Sequence, residues 1–196
     1  MNKQPIIDFF DCQAPQWDAD LVRDEEVIAR ILDNAGIQPG ASVLDVACGT
    51  GVLVPDYLKR AVTSVTGVDI SSQMIALAKK KFSDPRVSFI CADIETLRFE
   101  NRFDCAVVYN AFPHFFEPEN LIEKLAGDLK PGGLLTIAHG MSRASIDQHH
   151  EGRAQAVSIR LMPIDQLEKC LKPKFNVIVK ISNKRMYQIV GERKAY

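Results

Sequence analysis

Five apolar runs recur between residues 42 and 138, and most of them are followed by a stretch with helical spacing. The runs are apolar at nearly every position instead of alternating, as expected of strands whose two faces are both covered by helices. Strands interleaved with helices predict a parallel, doubly wound sheet. The predicted strands are Ser42–Ala47, Ser64–Asp69, Val87–Cys91, Phe103–Tyr109 and Leu134–Ala138.

Helices are predicted before the first strand and between most of the others. Apolar residues at helical spacing between residues 27 and 32, followed by Gly36 as a stop signal, predict the first helix. The predicted helices are Asp24–Ala35, about Val52 to Ala61, Ser71 or Ser72 to about Phe82, and Pro118–Leu129, with a turn at Lys130–Gly133.

The C-terminal end of the chain has a different pattern. Two β-rich runs, Phe175–Ser182 and Met186–Gly191, are separated only by Asn183–Arg185, which predicts a hairpin with an antiparallel edge strand. The complete pattern predicts an α/β fold. We expect a doubly wound, Rossmann-like, mostly parallel sheet of seven strands with one antiparallel edge strand and helices on both faces.

Composition indicates an ordinary globular domain. The 196 residues are 46% hydrophobic and carry a formal net charge of −1, so no overall field attracts nucleic acid. Five cysteines form no Cys-x-x-Cys pair, which favours a reducing, cytoplasmic setting. No run approaches the ~20 apolar residues that cross a bilayer, and no signal peptide is visible. We expect one cytoplasmic domain over residues 1–196, a monomer or homodimer that binds neither nucleic acid nor membrane and has a solvated basic face near its C-terminus.

The most informative segment is the nonapeptide Val-Leu-Asp-Val-Ala-Cys-Gly-Thr-Gly at residues 43–51. It joins a strand to a helix through Gly49 and Gly51, and such a turn lets the backbone approach a ligand closely. A dinucleotide site needs a third glycine, and Val54 stands at that position. Asp45, inside the strand, suits a ligand with a positive charge. A nucleotide-linked dehydrogenase is therefore disfavoured.

This nonapeptide resembles motif I of the class I S-adenosylmethionine-dependent methyltransferases, whose cofactor carries an ammonium and a sulfonium group. The resemblance extends over about Asp8 to Val190 and includes Lys130–Gly133 before the fifth strand. It implies S-adenosylmethionine as the cofactor, bound at the carboxyl ends of the strands. The cofactor-binding residues that it implies are Trp17, Asp45, Ala47, Gly49, Gly51, Asp69, Ile70, Met74, Asp93, Ile94 and Asn110.

The end of the second strand has the spacing of a ribose site. Asp69, 20 residues after Gly49, is expected to accept two ribose hydroxyls. Its alternative role is to cap the next helix, a role that Ser71 or Ser72 already offers. In the family an apolar residue after this acid packs on adenine, which implies Ile70 and Met74 here, although Met74 fits the core equally well.

The ends of the third and fourth strands complete the implied site. Asp93 resembles the residue that accepts a hydrogen bond from the adenine amine, with the backbone N–H of Ile94 at a ring nitrogen. Its alternative role is to cap the turn Ile94–Leu97. The segment from Val108 to His114, which includes Asn110, lines the transfer site in the family.

Ala47 departs from the family, in which many members carry glycine. Its methyl group is expected to fit if the backbone there stays extended, with no loss of binding.

The N-terminal segment, residues 1–23, carries a second resemblance. Phe9, Phe10, Ala14, Trp17 and Asp18 resemble a segment of small-molecule methyltransferases, including the quinone C-methyltransferase branch. In that group the segment folds over the cofactor as a lid. The alternative for Trp17 is a groove on the body of the domain.

All four histidines fall where a substrate is expected, at His114, His139, His149 and His150. Histidine titrates near neutral pH, so His114, His139 and His150 are candidate catalytic bases. The alternatives are ordinary loop or substrate-contact residues and, less favoured, ligands of a metal such as zinc or iron; we predict no metal site.

Residues 140–162 replace what is otherwise a short connection, and we interpret them as a substrate-side insertion. Residues 142–152 are expected to form a short helix. Arg143, Arg153 and Arg160 form a hypothetical contact set for an anionic substrate.

The sequence thus predicts a methyltransferase that acts on a small molecule by in-line displacement. The alternative is a non-catalytic protein that binds S-adenosylmethionine or S-adenosylhomocysteine.

Overall fold

The computed structural model describes residues 2–100, 102–150 and 154–195, and only the backbone of His149 and His150. Seven strands form one sheet in the order β3-β2-β1-β4-β5-β7-β6. The first five strands in that order pair in parallel, whereas β7 is antiparallel to both β5 and β6. The strands are β1 Ser42–Val46, β2 Ser64–Asp69, β3 Val87–Cys91, β4 Phe103–Tyr109, β5 Leu129–His139, β6 Phe175–Ser182 and β7 Tyr187–Arg193.

This topology confirms the predicted fold class. The predicted C-terminal hairpin is present, with the reversed strand β7 between β5 and the edge strand β6. Because strand order reverses beside β1 and β4, their carboxyl ends leave a crevice for a ligand.

Helices cover both faces of the sheet. Side chains that alternate along β1 enter two separate apolar clusters, with Val43 in one and Leu44 in the other. Residues of α2, α3 and α4 pack in the cluster that contains Val43, and residues of α5 and α7 in the cluster that contains Leu44. The helices are α1 Gln4–Trp17, α2 Glu25–Asn34, α3 Val54–Lys59, α4 Ser72–Lys81, α5 Pro118–Asp128, α6 Arg143–His150 and α7 Ile164–Leu171, with 3-10 helices at Phe112–His114 and Gln155–Val157.

The segment Lys130–Gly133 differs from its prediction as a turn before a separate strand. It lies inside β5, where a register shift places Leu129 opposite Phe103 and Leu134 opposite Cys105. Gly132, with φ +76°, absorbs the bend. The segment is therefore a bulge, and β5 pairs with β4 both before it, at Leu129, and after it, from Leu134 onward.

Candidate functional site

A pocket opens at the carboxyl ends of β1 to β4 and is covered by α1. It encloses about 1020 Å³ including its open mouth. Among the residues proposed from sequence, those that line it are Trp17, Asp45, Ala47, Gly49, Asp69, Ile70, Met74, Asp93, Ile94, Asn110 and His114.

Two of the proposed residues lie elsewhere. Gly51 has φ +80°, and a Cβ there would come within 2.7 Å of the Phe82 ring, so this glycine permits helix packing and does not line the pocket. His139 is fully buried at the end of β5, with its ring centroid 6.1 Å from that of Tyr187. The side chain of His150 is outside the described residues.

Gly49 links the first two strand ends. Its φ is +55°, and its N–H donates to Asp69 Oδ2 at 2.8 Å. Asp69 Oδ1 accepts from the Ser71 N–H at 2.8 Å, while the Ser71 side chain caps α4 by accepting from the Met74 N–H. Asp69 is therefore not the N-cap. Burial raises the pKa of its carboxyl, which is 8% exposed.

Ala47 corrects a sequence expectation. Its backbone is not extended but left-handed, with φ +53°. The chain leaves β1 at Val46 and must turn at once for the Cys48 N–H to donate to the Val68 carbonyl at 3.1 Å. A Cβ in this region is strained, so the glycine that the family resemblance implies at this position has a conformational reason.

Asp45 lines the pocket and is 3% exposed. Burial raises the pKa of its carboxyl to about 7, an effect that the neighbouring Tyr57 hydroxyl partly offsets and the charge of Asp69 reinforces. A cationic group bound beside Asp45 favours its ionised form. The site is thus poised to accept a positive charge.

Asp93 is held by a residue that the sequence did not indicate. Lys3 Nζ donates to Asp93 Oδ1 at 2.8 Å and also pairs with Glu95. Asp93 Oδ1 also accepts from the Glu95 N–H at 3.0 Å, as its alternative capping role requires. Because Lys3 engages this carboxylate from a position 90 residues away, no local pattern could have revealed it.

The N-terminal segment, expected as a lid, forms helix α1 across the strand ends. Asp11 accepts hydrogen bonds from Ser71 Oγ and from the backbone N–H of Gln73 at the start of α4. Asp18, which follows the helix, accepts from Thr50 Oγ1 at 2.6 Å and pairs with Lys81 at 2.8 Å. Together with Lys3, these contacts attach α1 to the ends of three strands. Phe10 and Trp17 from this segment enter the pocket.

His114 lies where α1, the loop after β4 and the insertion meet. Its Nδ1 is 2.9 Å from the carbonyl oxygen of Val157, and its ring packs edge-on against Phe10. Since a carbonyl only accepts, Nδ1 carries the proton in the neutral ring and Nε2 carries the lone pair. Of the candidate bases with described side chains, only His114 lines the pocket.

The charged candidates Arg143 and Arg160 lie outside the pocket lining. The Arg143 Nη2 atom lies 3.8 Å from Asp147 Oδ2, and Arg160 is exposed. Arg153 is outside the described residues. No cluster of three or more potential metal ligands occurs among the side chains that the structure describes. On the basic C-terminal face, Lys172, Lys174, Lys180 and Arg185 form ion pairs with acidic neighbours.

Tyr109 also lines the pocket; it lies in the segment from Val108 to His114 that the resemblance associates with the transfer site, but the sequence did not single it out. It precedes Asn110 at the end of β4, and burial raises the pKa of its phenol. The Tyr109 side chain packs against Gly140, where a Cβ would lie only 2.5 Å from the Tyr109 hydroxyl, so glycine at this position leaves room for the ring. The position of Tyr109 at a strand end beside the switch point was the available signal.

Known proteins resemble the chain in sequence. A family model described as a methyltransferase domain matches residues 43–133. Malonyl-[acyl-carrier protein] O-methyltransferase of Priestia megaterium is 34% identical over 142 residues, which are 70% of this chain and 52% of the relative. Demethylmenaquinone methyltransferase of Renibacterium salmoninarum is 29% identical over 146 residues, 70% of this chain and 60% of the relative. The chain spans about half to three fifths of the length of these relatives.

A solved structure shares the fold. The DhpI–SAH complex superposes with a TM-score of 0.77 at 19% identity and covers 98% of this chain and 97% of that one. SAH is S-adenosylhomocysteine. Together, the family match, the relatives and the shared fold support the class I S-adenosylmethionine-dependent methyltransferase family for this chain, with S-adenosylmethionine as cofactor.

Proposed function

We propose that the protein transfers a methyl group from S-adenosylmethionine to a small-molecule acceptor by in-line displacement. The observation that carries the proposal is one pocket in which three carboxylates, at Asp45, Asp69 and Asp93, meet apolar walls at the switch point of the sheet. The family match identifies the cofactor, and the pocket contains carboxylates and apolar surface that are complementary to it.

The residues present fit the cofactor. Asp45 suits its ammonium group, Asp69 its ribose hydroxyls and Asp93 its adenine amine, while Ile70 and Met74 offer apolar surface to the adenine ring. The bound cofactor supplies an activated methyl group on its sulfonium. The chain therefore has to orient the acceptor, exclude water and, for an acidic acceptor group, remove a proton.

We propose His114 as the base. Its hydrogen bond to the Val157 carbonyl supports this role, because that bond leaves the lone pair on Nε2. Phe10 and Phe115 line the pocket beside His114 and favour an acceptor with an apolar body. The two relatives are named for different acceptors, so this lining is the better guide to the acceptor class.

The test is transfer of an isotope-labelled methyl group to a small-molecule extract, followed by mass spectrometry. We expect a labelled product and release of S-adenosylhomocysteine. His114→Gln should retain S-adenosylhomocysteine binding and lose about 10²-fold or more in turnover on an acceptor that must be deprotonated. Full turnover by this variant would exclude His114 as the base.

The alternative is a binding protein without turnover. It predicts tight binding of S-adenosylhomocysteine by calorimetry and no labelled product from any extract. The same two measurements therefore separate the two functions.

We further propose a cytoplasmic protein, monomeric or homodimeric, that binds neither nucleic acid nor membrane. Support comes from five cysteines without a disulfide and from a net charge of −1. None of the helices in the described ranges is long and apolar enough to cross a membrane.

A further inference from the structure

Trp17 carries a buried polar atom at the pocket wall. Its indole Nε1 is shielded from solvent and has no hydrogen-bond partner among the residues that the structure describes. The ring lines the pocket, next to the motif I turn. Buried N–H groups in native proteins are nearly always paired, because one that stays unpaired has lost its hydrogen bonds to water without gaining another.

The position of this N–H is fixed by its surroundings. A Cβ built on Gly49 would lie 3.7 Å from Trp17 Nε1, so the indole nitrogen borders the glycine turn. The next residue, Asp18, is bonded to Thr50 and Lys81, and these contacts hold the end of α1 against that turn. The donor is therefore presented to the pocket on a restrained element.

The other groups around the pocket indicate what the donor meets. The three carboxylates at Asp45, Asp69 and Asp93 are acceptors, and they suit the ammonium, hydroxyl and amine donors of the cofactor. The Gly49 N–H is already bonded to Asp69, and Lys3 is ion-paired with Asp93 and Glu95. An anionic ligand group among these carboxylates needs a donor of its own.

We propose that Trp17 Nε1–H donates a hydrogen bond to the carboxylate of the amino-acid part of S-adenosylmethionine. The inference rests on the proposed function, because it presumes the cofactor in this pocket. Trp17 then does more than cover the ligand: it recognises the one cofactor group that carries a negative charge. Nucleosides that lack this carboxylate gain nothing from the indole N–H.

The test compares two ligands by calorimetry, S-adenosylhomocysteine and 5′-methylthioadenosine, which lacks the amino-acid carboxylate. Trp17→Phe keeps an aromatic ring and removes the N–H. We expect it to weaken S-adenosylhomocysteine about tenfold or more and 5′-methylthioadenosine by less than twofold. Equal weakening of both ligands, or no weakening of S-adenosylhomocysteine, would overturn the assignment.

Phe10→Leu is the matched control, since it alters an aromatic wall of the same segment that has no N–H. It should weaken both ligands by the same factor. If the unsubstituted protein binds neither ligand, the proposed function fails and the Trp17 assignment fails with it. If the unsubstituted protein binds S-adenosylhomocysteine but Trp17→Phe weakens both ligands equally, only the Trp17 assignment is overturned.

A second measurement needs no substitution. The chain contains one tryptophan, so its indole N–H gives one resonance in a ¹⁵N-labelled sample. We expect a downfield proton shift and slower solvent exchange with S-adenosylhomocysteine, and neither with 5′-methylthioadenosine. The same response to both ligands would overturn the proposal.

Discussion

At the scale of single residues, Asp45 combines two properties that usually exclude each other. It is almost fully buried, which disfavours its ionised form, and it lines the pocket in which we propose that it pairs with the ammonium group of the cofactor. Burial raises its pKa to about 7, so near neutral pH the carboxyl of the ligand-free protein is a mixture of the protonated and ionised forms. Binding of an ammonium group selects the ionised form and lowers that pKa.

Affinity for S-adenosylhomocysteine should therefore depend on pH in a defined direction. Below about pH 7 the carboxyl must lose a proton before it can pair with the ligand, so affinity should rise up to about tenfold per pH unit and level off above pH 7. Calorimetry between pH 5.5 and 8.5 measures this slope. Asp45→Asn should bind weakly without the slope, whereas His114→Gln should retain it. A flat profile in the unsubstituted protein would contradict this assignment.

Ala47 and Ala61 are two alanines held in the left-handed region, with φ +53° and +54°. Glycine relieves the strain of a Cβ there, so Ala47→Gly and Ala61→Gly should each raise the free energy of unfolding by about 1 kcal/mol. Urea unfolding measures the change. Ala61 is exposed and does not line the pocket, so its variant is the matched control. Destabilisation of Ala47→Gly alone would show that its methyl group packs productively.

The element scale is where prediction from sequence succeeded most clearly. The bounds of β2, β3 and β4 agree residue by residue with the predicted strands. Burial on both faces explains the apolar run of the central strand β4, whereas the edge strand β3 buries only Phe89. The strand-end residues came together because parallel topology brings all carboxyl ends to one edge. Helix α1 was expected only as a segment, and its charged attachments to α4 and to the loops after β1 and β3 join residues far apart in the chain.

Those attachments predict how fast the ligand leaves. Asp18→Asn weakens the contacts to Thr50 and Lys81 and should let α1 open more often, so S-adenosylhomocysteine should dissociate several-fold faster. Stopped-flow measurement of Trp17 fluorescence gives the rate. Asp84→Asn, which disrupts a pair with Arg86 away from the pocket lining, should leave it unchanged. Equal rates in both variants would mean that Asp18 does not hold α1 over the site.

At the scale of the whole molecule, stability and ligand binding have separate origins. The pocket depends on β1 to β4 and α1, whereas the C-terminal strands close the other side of the sheet. Gln188 on β7 is fully buried and joins the two parts of the chain: its Oε1 accepts from Asn34 Nδ2 at 2.8 Å, and its Nε2 donates to the Ile31 carbonyl at 2.9 Å. Sequence patterns gave no signal for this tie, because it joins residues 154 positions apart.

Gln188→Leu should consequently lower the free energy of unfolding by about 2 kcal/mol. The Asn34 amide loses its hydrogen-bond partner, and the buried site that holds the flat Gln188 amide must accommodate a branched apolar side chain. Asn34→Ala, at a half-buried position, should cost less. Both variants should bind S-adenosylhomocysteine as the unsubstituted protein does, since neither residue lines the pocket. Urea unfolding and calorimetry on the same samples measure the two quantities. A large loss of affinity in folded Gln188→Leu would mean that the C-terminal strands shape the site, and that the separation between stability and binding is wrong.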